Sequence, residues 1–257
     1  MEAPARWLML RELVKRDLQA RYAGSALGFV WSFVQPLWQL MLFTFVFGHV
    51  MKVSPLGERA PSFPLFLFSG LLPWLAIQEG LTRAANAITD QAHLVKKLRF
   101  PSELLVVSVT AAALVHEAIA ALVFGLLLAL VGALSWSSLP WLLAVLPLQI
   151  GITLGLGLLL AAANVFLRDV AQVLGLVLSA WFYLTPIVYP LSYVPEKFRG
   201  WIVANPLAAL VGLYRRALFG GSGPVAGVLV LALFSAVVSV VGWWVFRRAR
   251  PAFADLV

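Results

Sequence analysis

The sequence predicts an all-α membrane protein of six transmembrane helices preceded by an amphipathic interfacial helix, and three observations carry that prediction. Of its 257 residues, 62% are hydrophobic and 12% charged, with a mean hydropathy of +0.94, whereas a soluble domain is about half apolar and a quarter charged. Apolar runs of the roughly 20 residues needed to cross about 30 Å of hydrocarbon recur along the chain. The basic residues gather beside those runs instead of along one polar face, so the net charge of +8 reads as membrane topology and not as a nucleic-acid surface.

Residues 5 to 24 place Trp7, Leu10, Val14, Leu18 and Tyr22 at spacings of three and four, the period of one helix face. Arg11 projects into the same arc, which sets this helix at headgroup depth, where a long basic side chain reaches water. The first span runs over 27 to 50 and contains Pro36; neighbouring helices can satisfy the freed carbonyl, and a kink is expected there. The second covers 63 to 88, broken by Gly70, Pro73 and Gly80, and carries Glu79 and Arg83 in the order and spacing of a helical ion pair. The third is 104 to 130. The fourth, 141 to 166, has Gly151, Gly155 and Gly157 for close helix approach. The fifth is 170 to 189 and the sixth 225 to 246, closed by the basic run at 247 to 250. Residues 191 to 222 are too apolar for a solvated loop and too interrupted by Pro195, Gly200 and Pro206 for one crossing; they read as short re-entrant helices. The whole chain, 1 to 257, is one domain without internal repeats. No cleaved signal peptide is expected, because the first 25 residues mix basic and acidic side chains where an apolar core would be needed.

With the amino terminus in the cytoplasm, Arg6, Arg11, Lys15, Arg16, Arg21, Arg83, Lys96, Lys97, Arg99, Arg168 and the basic run at 247 to 250 all fall on that side. Lys52, Arg59, Lys197, Arg199, Arg215 and Arg216 fall outside. The excess of inward charge places both termini in the cytoplasm.

Several chemistries are missing. No glycine-rich phosphate loop ending in Gly-Lys-Ser/Thr occurs, so the chain does not hydrolyse ATP alone. It has no cysteine, which removes disulfides and thiolate catalysis, and His49, His93 and His116 stand too far apart to form a metal pair. Glu79, His116 and Glu117 are the ionisable candidates for a proton relay. Against that role, Glu79 has Arg83 as an in-helix partner, and the adjacent His116 and Glu117 point in different directions. A secondary carrier would show related halves with broken helices at matching positions, and a membrane enzyme a convergent polar constellation; neither pattern is found. The aromatics Phe29, Trp31, Phe33 and Trp38, then Trp74, and then Trp181, Phe182, Tyr183 and Tyr189 fit an interfacial belt. They fit equally a path on which the C–H faces of sugars slide.

The order Arg16, Asp17, Leu18, Arg21, Tyr22, Ser25, Leu27, Gly28, Trp31, Pro36 resembles the start of the permease subunits of ATP-binding-cassette exporters for O-antigen, capsule and teichoic acid polysaccharides. Leu94, Val95, Lys96 and Lys97 with Phe100, Pro101, Ser102 and Glu103 look like the segment by which that family docks its ATPase. Arg168–Asp169, Thr185 to Tyr189, Asn205–Pro206 and Tyr214–Arg215 look like its later signatures. The resemblance implies a homodimeric permease in the bacterial inner membrane, with a channel at the dimer interface. Two copies of a separate subunit would bind ATP and Mg, and this chain itself would hold no cofactor, no metal and no catalytic residue. It implies docking through His93, Leu94, Val95, Lys96, Lys97, Arg99, Phe100 and Pro101, with Arg11, Lys15 and Arg16 of the first helix. A channel would be lined by Trp31, Phe33, Trp74, Trp181, Phe182, Tyr183 and Tyr189, and a gate or lipid-headgroup site would be formed by Lys197, Arg199, Arg215 and Arg216. The partners are then a second copy, the ATPase subunits, a lipid-linked polysaccharide (O-antigen first) and membrane lipids, with no nucleic acid. A permease of the same architecture for a drug or small lipid is the alternative, and a proton-coupled transporter the more distant one.

Overall fold

The computed structural model describes residues 3–21, 24–54, 57–96, 100–221 and 225–257, and no strand occurs among them. The helices are α1 (Ala3–Arg21), α2 (Trp31–Phe43), α3 (Phe63–Asn86), α4 (Ala92–Val95), α5 (Glu103–Leu130), α6 (Trp141–Phe166), α7 (Asp169–Leu184), α8 (Glu196–Val203), α9 (Pro206–Phe219), α10 (Val225–Ala249) and α11 (Phe253–Leu256). Among the described residues, five stretches are long and apolar enough to cross a membrane: Gly28–Val50, Phe63–Asn86, Glu103–Leu130, Trp141–Phe166 and Gly227–Leu256. The multi-pass helical architecture expected from the sequence is therefore present.

Three local features refine that architecture. In the first span Pro36 lies inside α2, while the recorded break from α-geometry comes later, in π-helical turns over Thr44–Val50. The fifth span is shorter than 170 to 189: α7 has 16 residues, about 24 Å of rise. It stops at Leu184 because Thr185 precedes Pro186 and adopts the extended conformation (φ −106°, ψ 134°) that a following proline favours. In the re-entrant segment, α8 and α9 meet at 86°. Asn205 makes that corner: its side chain accepts from Leu207 N (3.0 Å) and from Trp181 Nε1 (3.0 Å), and donates to Leu184 O (3.2 Å) and Thr185 Oγ1 (3.0 Å). It caps α9, with Pro206 at the first helical position, and satisfies the frayed end of α7 at the same time.

α3 is the central helix, with 72% of its apolar stretch buried inside the chain. Phe66, Ile77, Leu81 and Ala85 are at most 1% exposed and pack with Ile152 of α6 and Leu207, Leu210 and Val211 of α9. α6 lies against α10 backbone to backbone. A Cβ on Gly155 would stand 2.6 Å from Val238 C and Ser239 N, and Gly242 faces the Gly155 carbonyl. Ser235 and Ser239 then donate to Leu148 O (2.9 Å) and Gly151 O (3.0 Å) across the seam, the small-residue and hydroxyl contact typical of helices in lipid. Gly157 serves a different neighbour, Ala84 of α3, whose Cβ would be 3.0 Å away.

Candidate functional site

At one end of the bundle, α1 lies on α5 and on the last turn of α3. Its innermost residue is Leu13, 9% exposed, seated among Ala84, Ala87, Ile88, Leu104 and Leu105. The expected stripe Trp7, Leu10, Val14 and Leu18 instead borders an open groove of about 670 Å³ shared with Gly28, Phe29 and Ala111, and Trp7 is 69% exposed. The residue that seats α1 on the bundle thus lies about a third of a turn from that stripe, because α1 has a protein partner on another face. Asp17 pairs with Arg83, Arg83 with Glu79 (3.4 Å) and Glu79 with His116 Nδ1 (3.4 Å). A chain of polar pairs so runs from α1 through α3 to α5.

Next to it lie α4 and residues 100 to 103, the described parts of the expected docking segment. His93 and Lys96 are exposed, as are Arg11, Lys15 and Arg16 on α1, whereas Leu94, Val95 and Phe100 pack inward and Pro101 is buried. Arg16 Nη2 donates to Gln91 Oε1 (3.3 Å), tying the two elements. The basic residues of both elements therefore occupy one end of the molecule with their charges in solvent. Tyr22, Lys97 and Arg99 lie outside the described residues.

At the opposite end stands the corner of α8 and α9. Arg215 sits with its guanidinium carbon 3.5 Å over the Phe66 ring and donates to Pro186 O (2.8 Å), Ile187 O (3.0 Å) and Phe66 O (3.3 Å). It closes carbonyls left open where α7 ends, so its donors point into the fold. Arg216 stacks on Trp141 (3.9 Å). Together they border a polar cavity of about 190 Å³ with Glu58, Arg59 and Gly221. Arg199 donates to Val194 O (2.9 Å) and Ser192 O (3.3 Å), and Lys197 is exposed on α8 beside Phe198 (4.8 Å). Of the four cations assigned to a gate or headgroup, Lys197 faces solvent while Arg199 and Arg215 are engaged with backbone.

The match to an ABC-2 type transporter model extends over residues 9–219, from α1 through α4 to the end of α9. The chain belongs to that family. It is 35% identical to the O-antigen export system permease protein RfbA of Myxococcus xanthus, over 97% of this chain and 95% of that protein. It is 28% identical to the protein of the same name from Klebsiella pneumoniae, with the same coverage, and 24% identical to the polysialic acid transport protein KpsM of Escherichia coli, over 93% of each chain.

In this ABC-2 transporter the aromatics divide by exposure. Trp31 and Phe33 on α2 (37% each) and Tyr183 on α7 (67%) face outward. Phe182, Trp181 and Tyr189 are half-buried, and Tyr189 donates its hydroxyl to Tyr183 O (2.8 Å). Trp74 is 3% exposed, packed at 5.5 Å against Phe182 and donating to Gln78 (3.0 Å). It belongs to the subunit core and supports Phe182 from behind.

Sequence reasoning missed a buried polar triad. Gln149 Nε2 donates to Glu117 Oε2 (2.6 Å), and the Tyr214 hydroxyl lies 2.8 Å from Glu117 Oε1 and 2.5 Å from Gln149 Oε1. The triad ties α5, α6 and α9 together inside the bundle. His116, one residue before Glu117, turns toward Glu79 instead, as expected for neighbours on a helix.

Proposed function

We propose that this chain is the membrane-spanning permease of an ATP-driven exporter of a lipid-linked polysaccharide, O-antigen in the first instance, working as a homodimer with two copies of a separate ATPase subunit. The observation that carries this reading is the 35% identity, over nearly the full length of both chains, to a protein named as an O-antigen export permease. In this reading the protein lies in the bacterial inner membrane with both termini cytoplasmic, so the α1 and α4 end faces the ATPase and the α8–α9 corner faces outward. Arg11, Lys15, Arg16, His93 and Lys96, with Lys97 and Arg99, offer a basic docking surface. Leu94, Val95, Phe100 and Pro101 fix its shape from behind. The exposed Trp31, Phe33 and Tyr183, with Phe182, Trp181 and Tyr189 beside them, line the sugar path between the two copies. Weak, repeated stacking suits a sliding polymer better than a deep hydrogen-bonded site. The α8–α9 corner is the outward gate. Lys197, with Arg216 bordering the outer cavity, is the cation best placed for a lipid phosphate, while Arg199 and Arg215 hold the gate in shape.

The test is purification from native membranes with identification of co-purifying subunits and an ATPase assay. Wild type is expected to bring down a cassette ATPase. Lys15→Glu with Lys96→Glu, both exposed and therefore neutral to folding, is expected to lose the ATPase at least about tenfold, which is 1.4 kcal/mol of binding, with permease yield unchanged. A chain that purifies alone and transports without nucleotide overturns the reading. ATP-dependent export of a drug or small lipid, with surface polysaccharide unaffected when the chain is removed, replaces the substrate but keeps the machine.

A further inference from the structure

Residues 250 to 257 follow the last span and its basic run, where a polar, solvated end is the ordinary outcome. They instead continue the last helix, within the stretch Gly227–Leu256, and turn apolar side chains into the bundle. A 3-10 turn, Arg250–Ala252, leads into α11, and Phe253 is 1% exposed, edge-on to Phe246 at 5.2 Å. The cluster around Phe253 is the one that carries Leu94 and Val95 of α4 and Phe100 beyond it, and Val257 joins it from the tail. Arg250 adds polar contacts to the same place: Nη1 lies 3.2 Å from Glu103 Oε2, and Nη2 donates to Phe100 O (3.2 Å). Glu103, whose side chain is 13% exposed, also faces Arg6 of α1 at 4.0 Å.

α4 is four residues long, too short to hold a helical shape by itself. What holds its segment is external and comes at both ends. Arg16 of α1 grips Gln91 before α4, and Arg250 grips Phe100 and Glu103 after it, with Phe253 under the apolar residues between. The exposed side chains His93 and Lys96 stand on the stretch between the two grips. With both contacts and the cluster of Phe253 in place, α4 and residues 100 to 103 move with the spans, whereas α4 held only at Gln91 yields locally when pushed.

We propose that residues 250 to 257 brace α4 and residues 100 to 103, with Arg250 and Phe253 as positioning residues that let them pass the ATPase subunit's movement to the spans. This rests on the docking role assigned above. Because the chain has no cysteine, Ala92→Cys provides a single site for a nitroxide label, read by electron paramagnetic resonance in the complex with the ATPase, with and without ATP and Mg. In the otherwise wild-type complex the label's spectrum is expected to change on ATP addition. Arg250→Ala and Phe253→Ala are expected to leave the ATPase bound and hydrolysis within about twofold, while the label becomes mobile in both states and the ATP response falls at least about fivefold. Arg250→Lys is expected to recover the response. Unchanged spectra and responses in both variants overturn the brace, as does loss of the response only in step with loss of folded permease, or failure of Arg250→Lys to recover it. Arg250→Ala leaves the core cluster intact and serves if Phe253→Ala does not fold. A parent chain that binds no ATPase overturns the docking role itself, and with it the brace, so the two failures are told apart by the parent.

Discussion

Gly242→Val is expected to remove the folded permease from the membrane. The α6–α10 seam is built on backbone contact: a Cβ at 242 meets the carbonyl group of Gly155, and a Cβ at 155 would stand 2.6 Å from the backbone of Val238 and Ser239. Neither obstacle is a flexible side chain that could swing away. Room for valine requires the two helices to separate, which removes the close packing that drives helix association in lipid and stretches the Ser235–Leu148 and Ser239–Gly151 bonds. Overpacking a core costs about 1–3 kcal/mol where neighbours can shift, and here they cannot, so the loss exceeds about 3 kcal/mol. That is a large part of the ~5–15 kcal/mol that holds a typical protein folded. Thermal melting followed by fluorescence-detected size exclusion measures it, with Gly242→Ala expected to lower the melting temperature strongly and Gly242→Val to leave no monodisperse peak. Gly212, which has nothing within 4 Å of its Cβ position, provides the control: Gly212→Ala is expected to melt at or above wild type, since alanine favours a helix by about 1 kcal/mol over glycine. A full-yield, monodisperse Gly242→Val protein would refute the backbone-contact account.

That seam was legible in part. Gly151, Gly155 and Gly157 announce a close approach because small residues at a helical period have few other uses in lipid, but the sequence does not say which helix approaches. The structure sends Gly155 to α10 and Gly157 to α3. All the expected spans but the fifth, where α7 has only 16 residues, were legible because length and hydropathy are local properties, and the 191 to 222 segment because its prolines forbid one crossing. The Glu79–Arg83 pair was likewise local. What stayed hidden was long-range. Leu13 escaped the α1 stripe because its partners Ala84 and Leu104 lie on α3 and α5. Trp74 and Arg215 read as surface groups because aromatic and basic residues usually are, and only the fold shows Phe182 and the open carbonyls of 186 and 187 that take them inward. Phe253 followed a stop signal and carried no periodicity to mark it.

The polar triad is the clearest long-range case, and it gives the second large effect. Glu117, Gln149 and Tyr214 are 32, 65 and 97 residues apart pairwise, yet their polar atoms satisfy one another in a site where Glu117 is 6% and Gln149 0% exposed. In lipid no water replaces a lost partner. Tyr214→Phe removes the hydroxyl shared by Glu117 and Gln149 and is expected to cost about 1–2 kcal/mol, the upper range for polar contacts between membrane helices. Glu117→Ala leaves the Gln149 amide N–H without its acceptor, leaves the Tyr214 hydroxyl with Gln149 Oε1 alone and opens a cavity besides, for about 3 kcal/mol or more. Glu117→Gln keeps shape and acceptor and is expected to stay within about 1 kcal/mol of wild type. The decisive measurement is the double-mutant cycle of Glu117→Ala with Tyr214→Phe, read as melting temperatures in detergent or nanodiscs. A shared network makes the double variant less damaged than the sum of the singles by about 1 kcal/mol, and strictly additive losses would mean that the two side chains stabilise the bundle independently. Because Tyr214 stands on α9, next to Arg215 and its grip on the end of α7, the same variants also loosen the outward corner. Faster hydrogen exchange at 206 to 219 in Tyr214→Phe than in wild type is the expected local signature, and a uniform increase over all spans would show general destabilisation in its place.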